Sequence, residues 1–278
     1  MQGRFSIKKS NEKGGLPELL VQKKGSICTL VINRPKKRNF LTPRFLLKMT
    51  EVLQGLSREG TVRAIVIRGS GDQVFSAGYD ISALPIRPSS GMEDSLKETP
   101  PLEKALQAIC DFPYPVIAML NGYAYGGGCE LAIGCDIRIA ARSAKMGMPP
   151  AKLGLVYPYP GYRRFVTVLG FSRTLEIFLT GRQYDSQSCL NMGLVSYVLE
   201  DAELETFTYG LAKEISENSP LSLRGTKLAL YKIAKYPILN REEEEEIRSL
   251  FMQSLQSEDM QEGKRAFMEK RKPQFKGR

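Results

Sequence analysis

The protein has 278 residues, 42% of them hydrophobic, and a formal net charge of +10. A chain of this length and composition can bury a sizeable core, which excludes disorder throughout. It contains no histidine. Ser-His-Asp triads, Cys-His dyads and histidine-bound metals are therefore excluded, so any general base must be Glu, Asp, Tyr, Lys or Cys, and we expect no metal site.

The positive charge indicates attraction to a polyanion, such as a nucleic acid, an acidic membrane surface or a phosphorylated small molecule. A solvated basic surface without a partner explains the charge equally well. No stretch approaches the roughly 18 apolar residues of a membrane span, and the first residues lack the apolar run of a secretory signal. Five cysteines without a Cys-x-x-Cys pair predict reduced thiols. We expect a cytoplasmic protein with no membrane partner.

The first half of the chain alternates predicted strands and helices. A hairpin is predicted to turn at 24–26, and Thr42 followed by Pro43 is typical of a helix start. This alternation favours an α/β layered core with right-handed crossovers. The predicted strands are 19–23, 27–33, 62–68, 115–120 and 137–140, and the predicted helices are 45–56 and 102–109.

The second half of the chain is predicted to be mainly helical. We place a boundary near residue 200, which divides a sheet-bearing core over 1–200 from a helical C-terminal region over 201–278. Helices are predicted at 173–179, 186–192 and 204–217, and across most of the chain from 221 onward.

Two stretches of biased composition have simpler interpretations. The glutamates at 242–246 precede an apolar stripe with helical spacing, so they predict a solvated helix face. The stretch at 85–101 is rich in proline and serine and carries charges, which predicts a loop or short helix near the substrate.

A glycine-rich segment, YGGGCELA at 125–132, follows an apolar strand and opens a helical stretch. Glycine lets the backbone approach a ligand, and a helix start offers unpaired N–H donors at the positive end of its dipole. The segment is suited to stabilising negative charge. It lacks the Gly-Lys-Ser/Thr ending of a P-loop, and a tight turn with a packed glycine is the alternative interpretation.

A second turn of small residues, VFSAGYDI at 74–81, follows the strand predicted at 62–68. Ligands of α/β proteins bind at strand ends of this kind. One backbone N–H from each turn could converge on a single oxygen, as in an oxyanion hole.

Four motifs in chain order resemble those of the crotonase, or enoyl-CoA hydratase/isomerase, family. The resemblance implies a spiral ββα core with a helical C-terminal trimerisation region, and assembly as a homotrimer or homohexamer. It also implies that the N–H groups of Tyr79 and Gly127 bind a thioester oxygen and stabilise an enolate. The motifs are NRPKKRN at 33–39, FSAGYDI at 75–81, NGYAYGGGCEL at 121–131 and LTGR at 179–182.

Departures from the hydratase pattern point to a particular branch of that family. Glu130 matches the first hydratase glutamate, whereas the second falls at Pro150, which cannot transfer a proton. The segments 75–85, 153–157 and 257–273 resemble the methylmalonyl-CoA decarboxylase branch. By this similarity Tyr157 is an active-site tyrosine, although the branch has histidine where this chain has Tyr79.

The resemblance also implies binding of coenzyme A, which is part of the substrate, so we expect no separate cofactor. A basic segment lies at the family's adenine end, and the C-terminal tail often meets a neighbouring subunit's ligand. Plain surface charge explains the basic side chains about as well. The candidate binding residues are Lys36, Lys37, Arg38, Ala77, Asp80, Ile81, Phe267 and Lys270.

Three hypotheses of function remain open. The first is decarboxylation of a methylmalonyl-CoA-type substrate, in which loss of carbon dioxide makes the enolate without a base. The second is hydration or isomerisation of an enoyl-CoA with Glu130 as the base. The third is a non-enzymatic member that binds RNA or a protein; it rests on charge alone, and without RNA-type aromatic motifs we expect no nucleic-acid partner.

Overall fold

A computed structural model describes residues 17–79, 99–153, 155–235 and 241–278. Most of the loop predicted at 85–101 lies outside these residues, as do Asp80 and Ile81. Among the helices described, none is both long and apolar enough to cross a bilayer.

The strands of the described residues form a six-stranded and a four-stranded sheet. The larger sheet has the order β1-β2-β3-β5-β7-β10, and the smaller has the order β4-β6-β8-β9. In the larger sheet β1 pairs antiparallel with β2, and every other pair is parallel. The strands are β1 (Leu19–Lys24), β2 (Ile27–Ile32), β3 (Ala64–Gly69), β4 (Val74–Ser76), β5 (Val116–Leu120), β6 (Tyr123–Tyr125), β7 (Ile137–Ala141), β8 (Lys145–Gly147), β9 (Gln183–Asp185) and β10 (Tyr197–Leu199).

The larger sheet confirms the strands predicted in the first half of the chain. Its central strands, β3 and β5, are nearly continuous apolar runs, as expected for parallel strands that are buried on both faces. The smaller sheet was not predicted, because its strands have only three residues each and show no usable alternation. It matters for the site because β4 and β6 pair in parallel and each leads into one of the two glycine turns.

Helices account for most of the rest of the described chain, which includes short 3₁₀ helices at Pro35–Lys37 and Pro150–Leu153. The α-helices are α1 (Pro43–Glu59), α2 (Pro101–Asp111), α3 (Gly127–Ile133), α4 (Tyr159–Thr180), α5 (Ser186–Met192), α6 (Leu204–Ser216), α7 (Pro220–Lys235), α8 (Arg241–Gln256) and α9 (Glu258–Met268).

The predicted helix starts and ends are mostly close to those observed. Thr42 caps α1 as expected, with its hydroxyl oxygen accepting from the Phe45 N–H at 3.1 Å. The glutamates at 242–246 lie in α8, where Glu245 and Glu246 are exposed. The prediction at 173–179 was too short, because α4 begins at Tyr159; the backbone of Gly170 has φ 74° and kinks the helix, which interrupts the 3.6-residue period of its apolar residues.

Two of the helices that follow β10, α6 and α7, pack directly on the sheet-bearing core. The hydroxyl groups of Tyr209 in α6 and Thr29 in β2 lie 2.8 Å apart. Deeper contacts come from Lys227 in α7, whose buried ammonium group donates to the Asp136 carboxylate at 2.7 Å and to two backbone carbonyl oxygens. The division at residue 200 and the trimerisation role of 201–278 stay predictions.

The buried Lys227 ion pair predicts a large effect on stability. We expect Lys227→Met to lower the free energy of unfolding by about 3 kcal/mol, because the largely buried Asp136 carboxylate loses its cation. Denaturant unfolding measures the change. The matched control is Lys213→Met, at an exposed lysine 3.9 Å from Glu217, where the change should stay within about 0.5 kcal/mol. Equal effects of the two substitutions would contradict the assigned role of Lys227.

Candidate active site

The two predicted glycine turns meet in the structure. A Cβ atom placed on Gly78 would lie 2.6 Å from the Tyr125 carbonyl oxygen and 3.2 Å from the Gly127 nitrogen. A Cβ atom on Gly127 would lie 3.4 Å from the Tyr79 nitrogen. Gly127 is the first residue of α3, so its N–H belongs to the first turn, which has no partners within the helix. The backbone N–H groups of Tyr79 and Gly127 are therefore neighbours.

Buried side chains hold the first of these turns in place. The Asn39 amide donates to the Val74 carbonyl oxygen at 2.7 Å and to that of Ser70 at 3.1 Å. Ser76 donates to the Asn39 carbonyl oxygen at 2.8 Å, and its hydroxyl oxygen accepts from the Gly78 N–H at 3.1 Å. The backbone of β4 and of the turn after it is thus anchored by side chains, which prepares its N–H groups before any ligand arrives.

The second turn is held through close backbone contact. A Cβ atom on Gly128 would lie 2.4 Å from the Ser76 carbonyl oxygen, so only glycine fits there. The Asn121 side chain accepts from the Gly69 N–H at 2.9 Å and donates to the Gly71 carbonyl oxygen at 2.7 Å, which ties the end of β5 to the end of β3. The glycines and asparagines of the motifs therefore have a packing role.

Glu130 is the buried carboxylate of this site, with 3% of its surface exposed. Its Oε2 accepts from the Tyr157 hydroxyl at 2.5 Å, and its Oε1 accepts from the Arg164 guanidinium at 2.6 Å. Arg164 also donates to both carboxylate oxygens of Glu103, at 3.0 Å each. Tyr157, Glu130, Arg164 and Glu103 thus form one hydrogen-bonded chain of side chains.

Burial raises the proton affinity of Glu130 and Tyr157, two members of this hydrogen-bonded set of side chains. Burial raises the pKa of Glu130 above its ordinary value; the hydrogen bond from Tyr157 and the charge of Arg164 oppose this, while the charge of Glu103 adds to it. Burial, followed by the charge of Glu130, raises the pKa of Tyr157 well above its usual range. Tyr157 therefore remains a hydrogen-bond donor, and Glu130 takes up a proton more readily than a surface glutamate does.

Aromatic rings and a close helix surround the Glu130 carboxylate. The Tyr157 ring centroid lies 5.5 Å from that of Phe178, and the backbone N–H of Tyr157 donates to the Tyr162 hydroxyl at 3.1 Å. A Cβ atom on Gly161 would lie 2.5 Å from the Tyr157 ring and 3.0 Å from Glu130 Oε1. Gly161 therefore lets the backbone of α4 approach Glu130 closely.

Two further predictions concern Pro150 and Tyr157. Pro150 is buried in the 3₁₀ helix Pro150–Leu153, so this position offers the site no second acid. The Tyr157 hydroxyl donates to Glu130, and its role as an active-site tyrosine stays a prediction. Sequence reasoning missed Arg164 and Glu103, since an arginine in an arginine pair and a glutamate in a first helical turn are ordinary surface patterns.

The predicted coenzyme A residues are spread over three segments. Lys36, Lys37 and Arg38 are exposed, and the Arg38 carbonyl oxygen accepts from the Ala77 N–H at 3.0 Å, so this segment borders the turn that carries Tyr79. Their binding roles stay predictions. Asp80 and Ile81 lie outside the described residues, the side chain of Phe267 is likewise not described, and Lys270 is exposed just beyond α9.

Comparison with known proteins decides the family. A sequence profile described as "Enoyl-CoA hydratase/isomerase" matches residues 22–278. The chain belongs to the enoyl-CoA hydratase/isomerase family. A structure of an enoyl-CoA hydratase from Bacillus anthracis superposes with a TM-score of 0.85 at 27% identity, covering 94% of this chain and 100% of that one. The crotonase fold implied by the motifs is therefore confirmed.

Relatives within the enoyl-CoA hydratase/isomerase family carry out different reactions. Methylmalonyl-CoA decarboxylase of Escherichia coli is 35% identical over 252 residues, which cover 90% of this chain and 95% of that protein. A probable enoyl-CoA hydratase of Bacillus subtilis is 36% identical over 252 residues, with the same two coverages. Identity alone therefore does not select the reaction.

The close contact at Gly128 predicts a sensitive position in this family member. We expect Gly128→Ala to destabilise the fold by about 1–3 kcal/mol and to abolish turnover, because the new methyl group would force the Ser76 carbonyl away and separate the two turns. Thermal unfolding and an acyl-CoA turnover assay measure both effects. Gly55→Ala in α1, where a Cβ atom meets nothing within 4 Å, is the control and should leave turnover intact. Wild-type turnover by Gly128→Ala would contradict the close-contact argument.

Proposed function

We propose that this crotonase-family acyl-CoA enzyme decarboxylates a methylmalonyl-CoA-type thioester. The observation that carries the proposal is the state of Glu130, a buried carboxylate bound by Tyr157 and Arg164. By the family resemblance, the second hydratase glutamate falls at Pro150, which cannot transfer a proton. Hydration needs one group to activate water and another to deliver a proton. Decarboxylation needs neither a group that activates water nor a proton donor in the step that breaks the carbon–carbon bond.

The neighbouring N–H groups of Tyr79 and Gly127 are suited to hold the thioester oxygen of the substrate. The bond between the α-carbon and the carboxylate breaks, carbon dioxide leaves, and the electron pair passes into the thioester to form an enolate. Preorganised donors stabilise that charge more strongly than mobile water does. The enolate then takes one proton at the α-carbon to give the product thioester.

Glu130 suits the second step of this reaction. A malonyl-type substrate brings its own carboxylate into the site, where an ionised Glu130 would repel it. Burial favours the protonated carboxyl group of Glu130, which removes the repulsion and provides the proton that the enolate takes up. Tyr157 holds the carboxyl group in one orientation through its hydroxyl.

Isomerisation of an enoyl-CoA is the second candidate. One carboxylate suffices to move a proton between two carbon atoms, so the loss of an acid at Pro150 does not weigh against it. Glu130 lies in the same short helix as the donor Gly127 and is held by two hydrogen bonds, as a base requires. The two candidates need opposite protonation states of Glu130.

Partners and ligand contacts belong to the same proposal. The diphosphate and ribose phosphate of coenzyme A give the exposed Lys36, Lys37 and Arg38 a ligand of opposite charge. Coenzyme A enters as part of the substrate, and no separate cofactor takes part. The protein works as a homotrimer or homohexamer.

The decisive assay compares four classes of thioester. The purified protein is incubated with malonyl-, methylmalonyl-, crotonyl- and 3-enoyl-CoA, and the products are identified by mass. Loss of carbon dioxide from a branched malonyl thioester supports the proposal. A protein that releases none from any malonyl thioester but shifts the double bond of 3-enoyl-CoA is an isomerase.

Replacing the Glu130 carboxyl group by an amide should distinguish the candidate reactions. We expect Glu130→Gln to lower isomerisation or hydration by about 100-fold or more but decarboxylation by only about tenfold, because the bond-breaking step needs no base. Steady-state kinetics on each substrate measure the effect. Complete loss of decarboxylation in a folded Glu130→Gln protein would contradict the mechanism.

The pH dependence provides an independent test with a defined sign. As pH rises through the raised pKa of Glu130, kcat/KM for decarboxylation should fall, because the ionised carboxylate repels the substrate and has no proton to give. In Glu130→Gln this alkaline fall should vanish. An isomerase would show the reverse, with activity increasing as Glu130 ionises.

A further inference from the structure

Arg164 is shared between two carboxylates that come from different helices. Its Nη1 binds Glu130 Oε1 at 2.6 Å, and its Nη2 binds both oxygens of Glu103 at 3.0 Å. The side chains of Arg164 and Glu103 are 18% and 26% exposed, so solvent screens them only in part. Glu103 of α2 therefore holds the guanidinium group of Arg164, which extends from α4 and binds Glu130.

The shared arginine removes much of the rotational freedom of the Glu130 carboxyl group. Arg164 binds one oxygen and Tyr157 binds the other, at 2.5 Å. Gly161 brings the α4 backbone close to this carboxylate, and Arg164 lies about one turn further along the same helix. Leu102, the residue before Glu103, lies beside Gly127, which places the start of α2 against both parts of the site.

We propose that Arg164, itself held by Glu103, is a positioning residue that fixes the Glu130 carboxyl group for proton delivery to one face of the enolate. The proton-delivery role rests on the proposed function. The placement of Glu130 by a shared arginine does not, and it can be measured without substrate. Arg164 acts through Glu130 and need not touch the reacting atoms.

The opposite charges of Arg164 and Glu103 predict that their substitutions shift the titration of Glu130 in opposite directions. Arg164 favours the ionised form of Glu130, so Arg164→Met should raise the pH at which Glu130 titrates. Glu103 disfavours that form and competes for the arginine, so Glu103→Gln should lower it. The groups that face Glu130 are Tyr157, Arg164 and Glu103, and the first is unchanged in both variants.

The first measurement is infrared titration of the protonated carboxyl band without substrate, assigned to Glu130 by its absence in Glu130→Gln. Opposite shifts in Arg164→Met and Glu103→Gln support the proposal, whereas shifts in the same direction or no shift overturn it. Arg163→Met, the same substitution at the exposed neighbouring arginine, is the control and should titrate like the wild type. If Arg164→Met does not fold, the downward shift in Glu103→Gln decides.

The second measurement is decarboxylation of methylmalonyl-CoA in deuterium oxide. We expect Arg164→Met to lower kcat by about tenfold, like Glu130→Gln, with KM changed by less than about threefold and with deuterium entering the α-carbon from both faces. The double variant should be no slower than Glu130→Gln alone, because both changes act through one group. Deuteration from a single face in Arg164→Met, or multiplied losses in the double variant, overturns the proposal.

The two measurements separate the two claims. A wild-type enzyme that does not decarboxylate the thioester counts against the proposed function, and the infrared titration then judges the positioning role by itself. A wild-type enzyme that decarboxylates, combined with unchanged titration in both variants, counts against the positioning role alone.

Discussion

The close approach of two backbone turns is the constraint on which the rest of this structure depends. Gly78 and Gly128 lie where any Cβ atom would collide with the opposite backbone, at 2.6 Å and 2.4 Å from carbonyl oxygens. β4 pairs in parallel with β6, and the Asn39 side chain anchors the Val74 carbonyl oxygen of β4. These two contacts hold the turns at this distance. The backbone N–H groups of Tyr79 and Gly127, which belong to separate turns, thereby become neighbours, as an oxyanion hole requires.

Ionising a buried acid in this site costs free energy, and the cation Arg164, shared between two carboxylates, offsets part of that cost. Glu130 loses most of its hydration, and an arginine that neutralised it fully would make it a poor proton donor. Arg164 divides its charge between Glu130 and Glu103, so the three groups together carry one negative charge when both carboxylates are ionised and none when Glu130 is protonated. This compromise leaves Glu130 ordered yet able to take up a proton.

Motifs and apolar runs were enough to predict the family, the larger sheet except its short edge strand β10, and the two glycine turns, because each is encoded locally. The smaller sheet was not predictable, since strands such as Lys145–Gly147 are too short to carry a period. Arg164 and Glu103 were invisible for a different reason: they are 61 residues apart, and only the packing of α2 against Glu130 and α4 joins them. Tyr157 and Glu130 were both predicted, but the hydrogen bond between them was not, because a motif gives positions along the chain and not contacts between side chains.

The hydrogen bonds of Asp136 connect local opening of α7 with the support of the active site. Its Oδ2 accepts from Lys227 of α7 and also from the backbone N–H of Val116, the first residue of β5, which leads through Asn121 to the glycine-rich turn. One carboxylate thus connects a C-terminal helix to the strand that supports the oxyanion donors. Native-state hydrogen exchange would then report the amide of Val116 and the amides of α7 as one cooperative unit, so any opening of α7 would also disturb the support of the active site.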